Sequence, residues 1–268
     1  MGRIIAIANQ KGGVGKTTTA INLAAGLALE DMWTLVIDCD PQANTTSGLG
    51  FPKDPQRPSL SGALLYDRPL EDLVLNCEIG GLHLIPSDKN LVGTNIEFVE
   101  RENREHILAG KIKSLREKFN FILLDCPPAL DLLTLNCLVA ADSVLVPIQC
   151  EYFALEGVSE LLDTLVRIRR AFNPHLAVEG ILLTMFDERT KLAHQVVNDL
   201  KDFFGKQVFN VMIPRNVRLA EAPSFGKPIS LYDAKSRGAE CYQFLAKEVI
   251  EHAQDRVGPW TELAYTGG

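Results

Sequence analysis

The chain has 268 residues, of which 46% are hydrophobic and 23% charged, so it has enough apolar side chains to bury a full core. Its formal net charge of −7 argues against a protein that is basic all over. No uninterrupted apolar run approaches the ~20 residues of a membrane span. One large α/β domain is the default at this length, because such domains commonly run to ~250 residues.

The start of the chain and the cysteines favour a cytoplasmic protein. Arg3 is followed at once by a strand-like run and not by a cleavable apolar region, so we expect no signal peptide. The cysteines show no C-x-x-C pair and lie mostly in apolar runs, which predicts reduced core thiols and not a metal or cluster site. They are Cys39, Cys77, Cys126, Cys137, Cys150 and Cys241.

The first predicted elements are a strand, a glycine-rich loop and a helix. Residues 3–8 are apolar and rich in β-branched side chains, and residues 17–29 carry apolar side chains at helical spacing. Residues 9–18 between them read Asn-Gln-Lys-Gly-Gly-Val-Gly-Lys-Thr-Thr. Glycines let successive backbone N–H groups surround an anion, and the helix N-terminus adds partial positive charge. This context favours a phosphate-binding loop over a simple glycine-rich turn.

Two lysines distinguish this loop from the general motif. In that motif Lys16 reaches the β- and γ-phosphates of a nucleotide, and the Thr17 hydroxyl ligates Mg²⁺. The chain has glutamine at position 10, where glycine is usual, and a second lysine, Lys11, inside the loop. This variant of the loop is a more specific sequence signal than the general phosphate-loop motif.

The rest of the chain alternates between predicted strands and helices. Strands are predicted at residues 34–38, 82–86, 121–125, 143–147, 180–186 and 208–213. Helices are predicted at residues 59–65, 101–119, 156–172, 192–204 and 238–253, with a polar non-helical loop at 39–48 and a surface connection at 52–58. The alternation predicts an α/β fold, a single doubly wound, mostly parallel β-sheet with helices on both faces. We expect one domain over residues 1–254 and a loose tail over 255–268.

Carboxylates end two of the predicted strands. Asp125 follows four apolar residues, as in a Walker B strand, and Asp38 ends the strand at residues 34–38. Ligands bind at the carboxyl ends of strands in open parallel sheets. Because a phosphate loop needs a metal partner, we favour a metal-site role for Asp125 over a turn cap.

Basic residues are unevenly spread along the chain. Residues 189–237 contain nine Lys or Arg against four Asp or Glu, whereas the remainder contains 18 against 30. A basic face on an acidic body is one way to bind a polyanion locally. On the residues alone, an ordinary solvated face is the preferred interpretation, because basic clusters are weak signals.

Four stretches together resemble the ParA/Soj family, within the ParA/MinD superfamily. They are Lys-Gly-Gly-Val-Gly-Lys-Thr-Thr at 11–18, Asp-Cys-Asp-Pro-Gln at 38–42, Asp-Cys-Pro-Pro at 125–128, and Ile-Pro-Arg-Asn-Val-Arg-Leu-Ala-Glu-Ala-Pro-Ser at 213–224. The family consists of P-loop NTPases of the deviant Walker A type that partition chromosomes and plasmids. The likeness runs from about residue 2 to about residue 253 and looks closest to the short chromosomal Soj type. It departs at residues 30–33, where family members usually have a glycine and a basic residue.

The resemblance implies roles for single residues. Lys11 crosses the interface of an ATP-held homodimer to the partner's nucleotide, and Gly12 must be small for the two loops to approach. Asp40 orients the attacking water, although a turn aspartate before proline is the structural alternative. The catalytic residues are thus Lys11, Lys16 and Asp40. The nucleotide-binding residues are Lys11, Gly12, Gly13, Val14, Gly15, Lys16, Thr17, Thr18, and, around the adenine, Pro214 and Asn216. The Mg²⁺ residues are Thr17 and, in the outer shell, Asp38 and Asp125.

The implied function is an ATP-dependent switch. The ATP dimer would bind DNA non-specifically through Arg189 and Arg218 and be reset by hydrolysis, with Mg²⁺ as cofactor. We expect hydrolysis to be slow without a ParB/Spo0J-type centromere-binding partner. The expected location is the cytoplasm, on the nucleoid, with no membrane partner.

Three other functions compete with this one. A MinD-like ATPase on a membrane would need an amphipathic C-terminal anchor with basic residues, but residues 240–255 contain one lysine against four acids. An iron–sulfur carrier or nitrogenase-reductase relative would need paired cysteines, and none is visible. A ligase of the dethiobiotin-synthetase type is disfavoured by Lys11 and by residues 213–224.

Overall fold

The computed structural model describes residues 2–254 and contains one seven-stranded sheet. The strands are β1 (Arg3–Ile7), β2 (Thr34–Asp38), β3 (Leu75–Asn76), β4 (Leu82–Ile85), β5 (Phe121–Asp125), β6 (Ser143–Gln149) and β7 (Ala177–Thr184). Their order in the sheet is β3-β4-β2-β5-β1-β6-β7. Every neighbouring pair is parallel except β3 and β4, which are antiparallel. The predicted α/β fold with a mostly parallel sheet is therefore confirmed.

Helices cover both faces of this sheet. They are α1 (Lys16–Leu29), α2 (Asn44–Gly48), α3 (Leu60–Tyr66), α4 (Thr94–Glu97), α5 (Ile107–Ile112), α6 (Leu132–Ala140), α7 (Ala154–Ala171), α8 (Lys191–Phe204), α9 (Val217–Glu221), α10 (Ile229–Tyr232) and α11 (Arg237–Gln254). Side chains alternate along β1, so that Ile4 and Ala6 join one core while Ile5 and Ile7 join the other. α1 and α11 pack together on the second face, and α6, α7 and α8 cover the first.

Three predicted elements were wrong in part. The helix expected over residues 101–119 is α only at Ile107–Ile112, with 3₁₀ turns on either side. Asn103 just before it is left-handed, with φ 53°, which delays the start. Arg116 just after it pairs with Asp142 and binds Gly2, which turns the chain toward β1.

The strand expected over residues 208–213 forms only a single bridge between Val208 and Ile181. In the middle of this segment, the backbone N–H groups of Asn210 and Val211 donate to the Glu248 carboxylate on α11 and not to a neighbouring strand. A regular ladder with β7 therefore does not form over this segment.

The loop expected over residues 39–48 ends in a short helix, α2, because Asp38 accepts hydrogen bonds from the backbone and hydroxyl of Thr46. The helix α6 was not predicted at all. Its signal was nevertheless in the sequence, since Asp131 precedes an apolar run and caps the first turn through Leu133 N and Thr134 N.

The predicted tail at residues 255–268 lies outside the described residues. Within residues 2–254, no helix combines the length and the apolar character needed to cross a bilayer.

Candidate nucleotide site

The glycine-rich loop joins β1 to α1 at the carboxyl edge of the sheet. Gly13 and Gly15 have φ values of 76° and 92°, in the left-handed region that glycine adopts without strain. The loop is fixed to its neighbours: Thr184 on β7 donates to Val14 O at 2.8 Å, and Asn9 donates to Pro147 O at 2.7 Å. The sequence thus folds into the predicted strand, loop and helix, with the N-terminus of α1 facing a cleft.

The cleft has a volume of about 390 Å³. It is lined by Gly12, Gly13, Gly15, Lys16, Thr17, Thr18, Asp40, Gln42, Asn44, Pro128 and Met185. Six of these residues come from the loop and the first turn of α1. Backbone donors and one lysine therefore surround a space that suits a polyphosphate.

The two loop lysines lie in opposite environments. Lys16 is only 7% exposed, and its ammonium donates to Lys11 O at 2.9 Å. Burial lowers the pKa of Lys16, while Asp125 and other nearby acidic groups oppose that shift. The side chain of Lys11 is 55% exposed, pairs with the Glu151 carboxylate and does not line the cleft.

Asp125 is fully buried next to Thr17 in the first turn of α1, behind the residues that line the cleft. Its Oδ2 accepts hydrogen bonds from Thr17 Oγ1 at 3.0 Å and from Thr45 Oγ1 at 2.6 Å. Its Oδ1 is buried and has no hydrogen-bond partner among the described residues. The Thr45 contact could not be predicted from the sequence, since it depends on how α2 folds back.

Asp38 is the direct neighbour of Asp125 in the β2–β5 pairing. Its Oδ1 accepts from Asp40 N at 3.1 Å, and its Oδ2 accepts from Thr46 N and Oγ1 at 2.8 and 2.7 Å. Burial raises the pKa of both carboxyls, and in Asp38 the charge of Asp125 adds to the effect. Asp38 therefore holds the 40–46 segment in place as well as lying next to Asp125.

These groups fit a Mg²⁺ ion that is completed by phosphates. The Thr17 hydroxyl is an oxygen ligand of the kind that Mg²⁺ prefers, and the buried, unpaired Oδ1 of Asp125 is available to accept a hydrogen bond from a water molecule in the outer shell of the ion. Residues 2–254 contain no group of three His, Cys, Asp or Glu side chains that could hold a metal ion. Mg²⁺ commonly binds in this manner, through few protein ligands together with substrate phosphates and water.

Asp40 lines the cleft from the segment that follows β2. Its Oδ1 accepts from Gln42 N at 2.9 Å, and its backbone carbonyl accepts from Ser87 Oγ at 2.6 Å. The first bond holds the carboxylate and the second holds the backbone, so that the carboxylate stays at the cleft, where it can accept a hydrogen bond from a water molecule.

A second cavity of about 220 Å³ adjoins the cleft. It is lined by Gly15, Thr18, Thr184, Met185, Ile213, Pro214, Arg215, Asn216, Leu219, Ala220 and Tyr242. Both predicted adenine residues are therefore in one pocket. Asn216 Oδ1 caps α9 by accepting from Arg218 N at 2.8 Å, which leaves its amide NH₂ available as a donor.

Met185 was missed by the sequence reasoning, although it lines both cavities. It has φ 51°, an uncommon conformation for a residue with a side chain. Such backbone strain is often found at ligand sites, but nothing in the sequence around position 185 signals it.

The two predicted DNA-contacting arginines lie outside both cavities. The Arg189 side chain is 83% exposed and forms a two-pronged pair with Asp187, at 2.8 and 2.7 Å. The Arg218 side chain is 56% exposed and pairs with Glu221 at 3.0 Å and Asp233 at 3.5 Å. Both are accessible, but each already has a carboxylate partner.

Comparison with known proteins shows which family the chain belongs to. A family model described as an AAA domain matches residues 2–178. Over 251 residues the chain is 53% identical to the chromosome partitioning protein ParA of Myxococcus xanthus, covering 94% of this chain and 89% of the relative. The chain belongs to the ParA/Soj family. Another ParA/Soj relative, the sporulation initiation inhibitor protein Soj of Bacillus subtilis, is 49% identical over 249 residues, covering 93% of this chain and 98% of the relative.

A solved structure shares the fold over nearly the whole chain. It is cobyrinic acid a,c-diamide synthase from Mycobacterium smegmatis with bound ADP and magnesium, with a TM-score of 0.84 and 34% identity. The match covers 96% of this chain and 97% of that one.

Proposed function

We propose that this ParA/Soj-family chain is an ATP-driven switch for chromosome partitioning, with Mg²⁺ as its cofactor. The observation that carries the proposal is the separation of the two loop lysines. Lys16 is buried in its own cleft, whereas Lys11 projects from the surface outside that cleft. A lysine placed as Lys11 is, outside its own cleft, can contact the phosphates of a nucleotide bound to another copy of the chain, as an arginine finger does.

Each chain would hold its own nucleotide. The backbone N–H groups of residues 12–18 and the Lys16 ammonium bind the phosphates, while Pro214 and Asn216 bind the adenine. Thr17 would hold Mg²⁺, with Asp38 and Asp125 in the outer shell, and the ion would supply positive charge to the phosphates.

Hydrolysis would need the parts of two chains. Asp40 positions the attacking water, because Gln42 N holds its carboxylate and Ser87 Oγ holds its backbone carbonyl at the cleft. Lys11 of the second copy adds positive charge near the phosphates, which couples turnover to dimer formation. As the family resemblance implies, turnover would be slow without a ParB/Spo0J-type partner.

The dimer would bind DNA without sequence preference and thereby associate with the nucleoid. Arg189 and Arg218 are exposed and lie in the basic segment at residues 189–237. Single weak contacts gain avidity when a dimer presents two copies of one surface.

A membrane-bound, MinD-like role is disfavoured by the packing of α11. Its apolar residues, including Leu245, Ala246 and Val249, are buried against the core that contains α1. A bilayer anchor needs its apolar face free. A small-molecule synthase role is favoured only by the structural likeness at 34% identity, whereas the ParA and Soj relatives are 53% and 49% identical.

The decisive experiment uses Asp40→Ala, with and without ATP. This variant should bind ATP and dimerise but release no phosphate, because only the positioning of water is lost. Light scattering measures the mass, and a phosphate-release assay measures turnover. A monomer in the presence of ATP, for both the wild type and the variant, would overturn the proposed switch.

A further inference from the structure

A second surface cleft lies beside the adenine pocket. It has a volume of about 520 Å³ and contains three arginines, Arg189, Arg215 and Arg237. The other lining residues are Phe186, Asp187, Glu188 and Pro214. We refer to it as the arginine cleft. Pro214 and Arg215 also line the adenine pocket, so that the two cavities share one wall.

The wall between the cavities is made of two segments joined by backbone hydrogen bonds. Phe186 N donates to Ile213 O at 3.0 Å, and Arg215 N donates to Phe186 O at 3.1 Å. These bonds fix the backbone of residue 215 next to the segment that carries Asp187 and Arg189. The backbone positions of Arg189 and Arg215 are therefore fixed relative to each other by the fold.

The arginines of the cleft differ in their partners. Arg189 pairs with Asp187, and Arg237 pairs with Glu240 at 2.8 Å. Arg215 has no ion pair within 4 Å among the described residues. Exposed pairs of this kind are weak, so a polyanion with many negative charges can compete with these carboxylates for the arginines.

Arg218 lies near the arginine cleft without lining it. Arg218 pairs with Asp233, which stands at the start of the turn that leads into Arg237 at the beginning of α11. Gly238, next to Arg237, also lies against Leu219, next to Arg218. The cleft arginines and Arg218 thus form one group of exposed cations, and such a group fits an extended polyanion better than a single small anion.

We infer that the arginine cleft binds a backbone phosphate of DNA, with Arg215 and Arg237 as contacts in addition to Arg189 and Arg218. Guanidinium groups match phosphate oxygens in a two-pronged geometry, and contacts to phosphates carry no sequence information. The inference rests on the proposed DNA-binding function and names further residues that perform it.

The test compares Arg215→Ala and Arg237→Ala with Arg170→Ala. Arg170 is an exposed arginine in the last turn of α7, which leads to the amino end of β7, whereas Asp187 and Arg189 follow its carboxyl end. Binding of a labelled random-sequence duplex is measured at saturating ATP and at several salt concentrations, with light scattering on the same samples. Arg237 touches neither nucleotide cavity, so Arg237→Ala should dimerise normally.

Each cleft variant should weaken DNA binding by about three- to tenfold. Each should also reduce the slope of log K against log salt by about 1 per lost phosphate contact, or about 2 in a dimer. Arg170→Ala should match the wild type in both respects.

Two results would overturn the inference in different ways. If the wild-type dimer binds DNA and both cleft variants keep its affinity and salt slope, the cleft is not a contact, and the proposed function stands. If the wild-type dimer does not bind DNA, or binds only vesicles of phosphatidylglycerol, the DNA part of the proposed function fails with it.

Discussion

At the scale of single residues, one loop places two lysines in opposite surroundings. Lys16 begins α1 and is buried beside Asp125, whereas Lys11, five positions earlier, contacts Glu151 at the surface. The motif predicts the position of Lys16, because a strand, a glycine loop and a helix fix where that side chain goes. It cannot predict the Glu151 contact, since residues 150–153 are brought to the loop only by the pairing of β1 with β6.

The Lys16→Ala variant should lose ATP binding. A buried cation that faces a polyphosphate makes a charge-assisted contact that no neighbouring side chain can replace. Calorimetric titration with ATP measures the loss. Lys53→Ala, at an exposed position remote from the cleft, is the matched control and should bind as the wild type does. Equal affinity in the two variants would remove Lys16 from the phosphate site.

At the scale of elements, the sequence predicts best where local pattern and final packing agree. The predicted bounds of the buried strands β1, β2 and β5 agree with the structure to within one residue. Short continuous apolar runs are typical of strands that are covered on both faces in a parallel sheet. The segment at residues 208–213 has the same composition, but Glu248 from a distant helix takes its N–H groups. Such long-range hydrogen bonding leaves no local signal.

The contact between α1 and α11 makes a second prediction at this scale. A Cβ added at Gly26 would lie 3.0 Å from Ala246 Cβ and 3.1 Å from Tyr242 O, so the two helices are in close contact there. Gly26→Leu should therefore force them apart and lower the free energy of unfolding by about 1–3 kcal/mol. Urea unfolding measures this change.

The control for this substitution is Gly110→Leu. Gly110 lies in α5, is exposed and has nothing within 4 Å of an added Cβ. Because glycine is a poor helix former, Gly110→Leu should be neutral or stabilising by up to about 1 kcal/mol. An equal loss of stability in both variants would show that the helix contact is not responsible.

At the scale of the whole molecule, the question is which features serve a second copy and not the single chain. Substitution of a buried residue does not test this, since it also disturbs the fold. Substitution of Gly12 does, because Gly12 is exposed and nothing lies within 4 Å of an added Cβ. Its φ also lies outside the positive region that favours glycine, so a side chain here costs the single chain little.

Gly12→Val should therefore keep the fold and the nucleotide site but lose the dimer. We expect ATP affinity within about threefold of the wild type, a difference of less than about 1 kcal/mol. The mass in the presence of ATP should remain that of one chain, because two loops carrying valine cannot approach closely. Light scattering with ATP measures the mass, and calorimetry measures the affinity. Gly80→Val, at an exposed and equally open glycine far from the cleft, should dimerise normally. If Gly12→Val formed the ATP dimer as readily as Gly80→Val, the glycine loop would not lie at the interface, and the surface position of Lys11 would need another explanation.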